Sequence, residues 1–187
     1  MFTSIRAKLW LCVGLGFAGF ALATAVTYLT SARLSTSLDE VRSRDFPLAM
    51  KSAETFNLYK RQQGLYEEAV LIGDEDAVSD ADEMGGVIVA ALQEMSELDP
   101  GQRDSLLPLA DKLKSYTEQA TLNYGLMAEG EEGSDLISNI QKTGQLQREL
   151  LAQFEALADK LRSQVEVEIS DNQAVAVRNS QTQIWIF

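Results

Sequence analysis

Apolar residues form one unbroken stretch near the start of the chain and thereafter recur at steps of three and four. From Leu9 to Ala32 no residue is charged, and Leu9 to Leu29 is dense in Leu, Val, Ala, Phe and Gly. A run of that length crosses about 30 Å of hydrocarbon as a helix. Arg6 and Lys8 precede it, which predicts a cytoplasmic N-terminus and emergence on the other side at Arg33. Trp10 and Tyr28 lie near its two ends, where amphipathic rings favour the interface. A cleaved signal peptide competes with this reading, with Ala21-Leu22-Ala23 as the cleavage site, but the apolar run continues well past that point. Gly14-Leu15-Gly16-Phe17-Ala18-Gly19 has the letters of a dinucleotide-binding loop. It lies inside one continuous helix rather than between a strand and a helix, so that reading fails.

Beyond residue 33 nothing has the alternation of a strand, and the steps of three and four predict four amphipathic helices. The first, Leu34 to Ile72, sets Leu38, Val41, Leu48, Ser52, Phe56, Tyr59, Gln63, Tyr66 and Val70 along one seam, with an interruption at Phe46-Pro47. Gly73-Asp74-Glu75-Asp76 supplies a glycine stop and acidic caps. The second helix, Ala77 to Leu98, repeats Val78, Ala81, Met84, Ile88, Ala91, Met95 and Leu98, and Gly85-Gly86 weakens it by about 1 kcal/mol per glycine. Asp99-Pro100-Gly101 is a turn. The third carries Leu106, Leu109, Leu113, Tyr116, Ala120, Tyr124 and Met127, with Pro108 in its first turns or kinking it. Glu129 to Gly133 reverses the chain. The fourth runs from Ile137 through Phe154, Leu161 and Asn172 to Val175 at a spacing of 3.5 residues.

These patterns predict an all-α fold: an N-terminal transmembrane helix, then an antiparallel up-down-up-down four-helix bundle with long first and last helices. The resulting division is 1–8 cytoplasmic, 9–32 transmembrane, 33–183 extracytoplasmic bundle, and 184–187 the start of a second span. That last expectation rests on Ile184-Trp185-Ile186-Phe187, wholly apolar after a polar approach; a short tail docking in a groove is the alternative. Below Pro47 the first and last helices would form a two-helix stem with little core of its own, which predicts pairing with a second copy.

Charge narrows the function. Of the 16 basic residues only Arg6 and Lys8 precede the apolar run, while all 28 acidic residues follow it. A surface so acidic argues against nucleic acid. There is no histidine, and the single Cys12 lies in the apolar segment. Disulfides, Cys/His metal sites and His-based catalysis are thereby excluded, and no nucleophile–base pair or phosphate loop is present. The chain is expected to be no enzyme, to hold no cofactor and to bind no metal.

The layout resembles the four-helix-bundle sensor domains of methyl-accepting chemotaxis proteins and related transmembrane sensor histidine kinases. The resemblance is carried by the basic start and span, by Asp45-Phe46-Pro47-Leu48-Ala49, and by Tyr66-Glu67-Glu68-Ala69-Val70-Leu71-Ile72-Gly73-Asp74 before the second helix. Tyr116 and Tyr124 on the third helix and the long fourth helix complete it. It implies a homodimer in the bacterial inner membrane and a periplasmic bundle binding a small molecule or a periplasmic binding protein. The signal would leave through the last helix to a cytoplasmic output domain. If ligand binding follows the family, Asn57, Tyr59, Lys60, Arg61, Gln63 and Tyr66 are the candidate residues. Lys60-Arg61 is an adjacent basic pair, and Gln63 is a polar group at a seam position. Tyr116, Asn123 and Tyr124 form a second set. A scaffolding coiled-coil membrane protein without a ligand is the rival reading.

Overall fold

A computed structural model describes residues 5–131 and 133–184, and among them no strand occurs. Five α-helices account for nearly all of it: α1 (Ile5–Glu40), α2 (Phe46–Ile72), α3 (Glu75–Leu98), α4 (Arg103–Ala128) and α5 (Ser134–Ile184). A π-helical stretch, Val41–Asp45, joins α1 to α2, and a 3₁₀ turn, Pro100–Gln102, leads into α4. The expected second span lies outside the described residues except for Ile184, the last residue of α5.

The helix ends follow from local chemistry. At Gly73 the backbone turns left-handed (φ 71°), and its N–H and that of Asp74 both bond the Ala69 carbonyl. The Asp74 carboxylate then accepts from the Asp76 N–H at 3.0 Å and caps α3. Asp99 repeats the device at the far end of α3, accepting from the Gly101 N–H at 2.9 Å beside Pro100. Gly130 (φ 83°) closes α4. Pro108 sits inside α4. The interruption expected at Phe46-Pro47 takes another form: the chain stays helical there, and the irregularity lies upstream as the π-helical stretch. Proline offers no N–H to the carbonyl four residues back, and π geometry, which reaches five residues on, resolves that locally.

The chain divides into two compact units, residues 1–42 with 167–187, and residues 43–166. In the second unit, α2, α3, α4 and the first part of α5 share one core. Leu48, Tyr59 and Tyr66 come from α2, Ile88, Leu92 and Met95 from α3, Leu106, Leu113 and Tyr116 from α4, and Leu150, Phe154 and Leu161 from α5. Polar contacts connect the same helices. Lys51 near the start of α2 pairs with Glu94 near the end of α3, and Gln62 meets Ala81. Thr121 of α4 reaches Asp82 of α3, and Lys112 of α4 pairs with Glu149 of α5 at 2.8 Å.

The first unit has a different character. No described α1 side chain is buried, and Trp10, Phe17, Leu22 and Tyr28 are each more than two-thirds exposed. One helix near the N-terminus is long and apolar enough to cross a membrane. The late part of α5 leaves Val167, Val175 and Val177 exposed, while Asn172 is buried and its amide nitrogen has no hydrogen-bond partner.

Candidate functional site

The core of the 43–166 unit is not purely apolar. Midway along α2 the Gln62 side chain is fully buried among three helices. Its Nε2 donates to the Ala81 carbonyl of α3 and to Thr117 Oγ1 of α4, both at 3.0 Å, and its Oε1 has no partner. Gly85 makes room for this cluster. A Cβ there would stand 2.6 Å from Thr117 Cγ2 and Oγ1 and 2.7 Å from Gln62 Nε2, well inside van der Waals contact. A glycine is required for three helices to approach around a buried amide.

Four tyrosines flank this layer. Tyr59 stacks on Phe154 of α5 with centroids 4.8 Å apart and donates to the Gln147 carbonyl at 3.0 Å. Tyr66 stacks on Tyr124 at 5.1 Å and shares a 2.9 Å hydrogen bond with Thr121. Tyr116 lies edge-on to both Tyr59 and Tyr66, and its hydroxyl is buried without a partner. Nearer the α4–α5 turn, Asn123 Nδ2 donates to Thr143 Oγ1 at 2.9 Å.

Burial sets the chemistry of these phenols. Desolvation disfavours the anion, pushing Tyr66 up to about 12 despite the opposing bond with Thr121, and raising Tyr59, Tyr116 and Tyr124 as well. They are neutral at any physiological pH and cannot serve as acid–base groups there. Among the described residues no cluster of His, Cys, Asp or Glu has the makings of a metal site.

Among the described residues, three grooves stand out on the surface of the unit. One, about 490 Å³ between α4 and α5, is lined by Pro108, Leu109 and Leu157 with Lys112 and Lys160 beside them. Both lysines are occupied, Lys112 by Glu149 and Lys160 by Gln102 Oε1 at 2.9 Å. A second, about 460 Å³, lies between α3 and α4 over Gly85 and Gly86. The third, about 270 Å³ between α2 and α3, contains Arg61 facing the acidic residues Asp80 and Glu83.

The six residues singled out on α2 are distributed over different surroundings. Tyr59 and Tyr66 are in the core, Gln63 is half-buried with its Nε2 enclosed and unpartnered, and Asn57, Lys60 and Arg61 are exposed. Arg61 lines the α2–α3 groove, and Lys60 Nζ lies 4.0 Å from the centroid of the Phe56 ring. No described groove gathers the six together. Of the second set, Tyr116 and Tyr124 join the aromatic array, and Asn123 bridges α4 to α5. Sequence reasoning passed over Gln62 and Thr117; the paired glycines at 85 and 86 were the available signal of close approach.

No family model, curated protein or solved structure matches this chain. Its function therefore has to be argued from these residues.

Proposed function

We propose that the chain is the extracytoplasmic ligand-sensing and signal-transducing part of a bacterial transmembrane receptor. In this reading α1 spans the inner membrane. Residues 43–166 form an antiparallel up-down-up-down bundle in the periplasm, and α5 carries the signal back toward a cytoplasmic output domain. One observation carries the membrane half: α1 holds a run of large apolar side chains with none of its apolar window buried. Such a surface is stable in lipid and unstable in water. The order of contacts supports the topology, since Lys51 with Glu94 and Gln62 with Ala81 fall in opposite order along α2 and α3. Asn123 with Thr143 and Lys112 with Glu149 do the same along α4 and α5.

The sensing half rests on the polar layer. The buried Gln62 Oε1 without a partner and the exposed Gly86 in the interior of α3 each cost stability. A switch between two packings needs such marginal places. The apolar side chains left exposed on the late part of α5 favour a homodimer.

Cysteine accessibility tests the placement. With Cys12 replaced by serine, single cysteines at the exposed positions Glu97 and Glu131 should react with a membrane-impermeant maleimide in intact spheroplasts, and a tag at Met1 should be protected. Labelling of Glu97→Cys and Glu131→Cys only after lysis would overturn the reading. So would a mature chain beginning near Thr24 in the soluble fraction.

A further inference from the structure

Gly85 has a packing reason, but its neighbour does not. A Cβ on Gly86 would meet nothing within 4 Å, and the residue is exposed in the interior of α3. There a glycine costs about 1 kcal/mol relative to alanine and returns nothing to the fold. What it does is keep open the groove of about 460 Å³ between α3 and α4.

The groove has a direction. Asp82 and Glu118 line it, as do Lys114 and Gln93. The contacts Asp82 with Thr121 and Gly85 with Thr117 fix how α3 and α4 face each other. By that register Asp82 stands at one end, Glu118 and Thr117 lie level with the glycines, Lys114 lies level with Val89 about one turn further on, and Gln93 stands at the far end. Lys114 and Glu118 are one helical turn apart on α4, an axial separation of about 6 Å, and no ion pair joins them among the described residues.

The floor is also primed. Thr117 is only 6% exposed, and its Oγ1 is engaged as an acceptor from Gln62, which leaves the hydroxyl proton to be given elsewhere. Gln62 stands directly behind Gly85 and carries the unpartnered Oε1. A molecule lying over the glycines would therefore rest against a buried polar pair that joins α2, α3 and α4.

We infer that this groove binds a short zwitterion, with its ammonium between Asp82 and Glu118 and its acidic group at Lys114. The two charges would be separated by about one helical turn, as in an ω-amino carboxylate of five carbons. That such a molecule is a signal rests on the receptor reading; that it binds does not. Maleimide topology and direct binding can therefore fail separately.

Calorimetry on the full chain in nanodiscs tests this with three probes: 5-aminopentanoate, pentylammonium without the carboxylate, and pentanoate without the ammonium. Saturable binding of 5-aminopentanoate at about millimolar Kd or tighter is expected, with the two half-probes each at least about tenfold weaker. Gly86→Leu fills the groove with a good helix former at an open position, so it should fold and lose about tenfold or more in affinity. Glu118→Gln should weaken binding of the zwitterion and of pentylammonium, and Lys114→Met that of the zwitterion and of pentanoate. The inference is overturned by no saturable binding of 5-aminopentanoate, by equal affinity for it in wild type and in a Gly86→Leu chain of unchanged helicity, or by pentylammonium binding as tightly as the zwitterion.

Discussion

Adjacent glycines in one helix should respond oppositely to the same substitution. Gly86→Ala adds a methyl group into open space and removes a flexible residue from a helix interior, so it should stabilise the chain by about 0.5–1 kcal/mol. Gly85→Ala gains the same propensity but places its Cβ 2.6 Å from both Thr117 Cγ2 and Oγ1 and 2.7 Å from Gln62 Nε2. Ordinary carbon contacts are about 3.5–4.0 Å, so α3 must withdraw by about 1 Å or the amide must leave its place. Overpacking of this kind costs about 1–3 kcal/mol. Displacing Gln62 leaves buried donors unmatched, at about 1–3 kcal/mol more. After the propensity gain, Gly85→Ala should destabilise by about 1–5 kcal/mol, a gap of about 2–6 kcal/mol from its neighbour. Urea titrations of the full chain in detergent, followed by far-UV circular dichroism, read the two midpoints. Adding Thr117→Ala to Gly85→Ala removes the obstructing atoms and should recover part of the loss, as coupling well beyond about 0.5 kcal/mol. Equal midpoints for the two glycine variants, or a cycle without coupling, would refute the close approach of α2, α3 and α4.

The remaining expectations concern the tyrosines and a turn. Tyr116→Phe removes a buried hydroxyl with no partner and should be neutral or stabilising by about 1 kcal/mol, whereas Tyr59→Phe loses its bond to the Gln147 carbonyl and should cost about 1 kcal/mol. Thermal melts of the two variants distinguish them, and the opposite order would contradict the packing described. Because the folded tyrosines hold their protons above the unfolded pKa of about 10, their contribution is intact below that value. It is lost as pH rises from about 10 toward the folded Tyr66 value of about 12. Melting temperature should therefore drop steeply over that window, and a flat profile would argue for exposed phenols. Gly73→Ala meets only an ordinary 3.5 Å contact with the Ala128 carbonyl, so its cost is the left-handed backbone alone, about 1 kcal/mol by equilibrium denaturation.

Much of the helical frame was legible because its punctuation is chemical. Gly73-Asp74, Asp99-Pro100 and Gly130 each mark a helix end through a property of one residue type, and α2, α3 and α4 stop there. The seam of α2 was legible only in part. A spacing of 3.5 residues picked out Leu48, Ser52, Tyr59 and Tyr66, all buried, but also Gln63 and Phe56, which are half-buried, and Leu38, which is 47% exposed. It omitted Thr55, Gln62 and Ala69. A helix inserted among three neighbours buries a wider arc than a two-stranded seam, and that arc admits polar residues whose partners lie far along the sequence. Gln62 finds Thr117 55 residues away, a pairing no local pattern encodes. The π-helical stretch was equally hidden, since no apolar period marks it.

The Gln62 cluster also bears on which alignments of these helices are possible at all. Heptad-spaced surfaces tolerate sliding by seven residues, because every seam position is replaced by another much like it. Here a slide of α2 by one heptad would bring Thr55 or Ala69 to the notch at Gly85 and carry the Gln62 amide to a level of α3 with no such notch. Neither substitute can bond both the Ala81 carbonyl and Thr117 as the amide does. Glutamine and glycine thus act as key and keyway, selecting one register from a set that hydrophobic packing alone leaves nearly degenerate. Chimeras exchanging helices between such bundles should keep α2, α3 and α4 together, with any junction placed in α5.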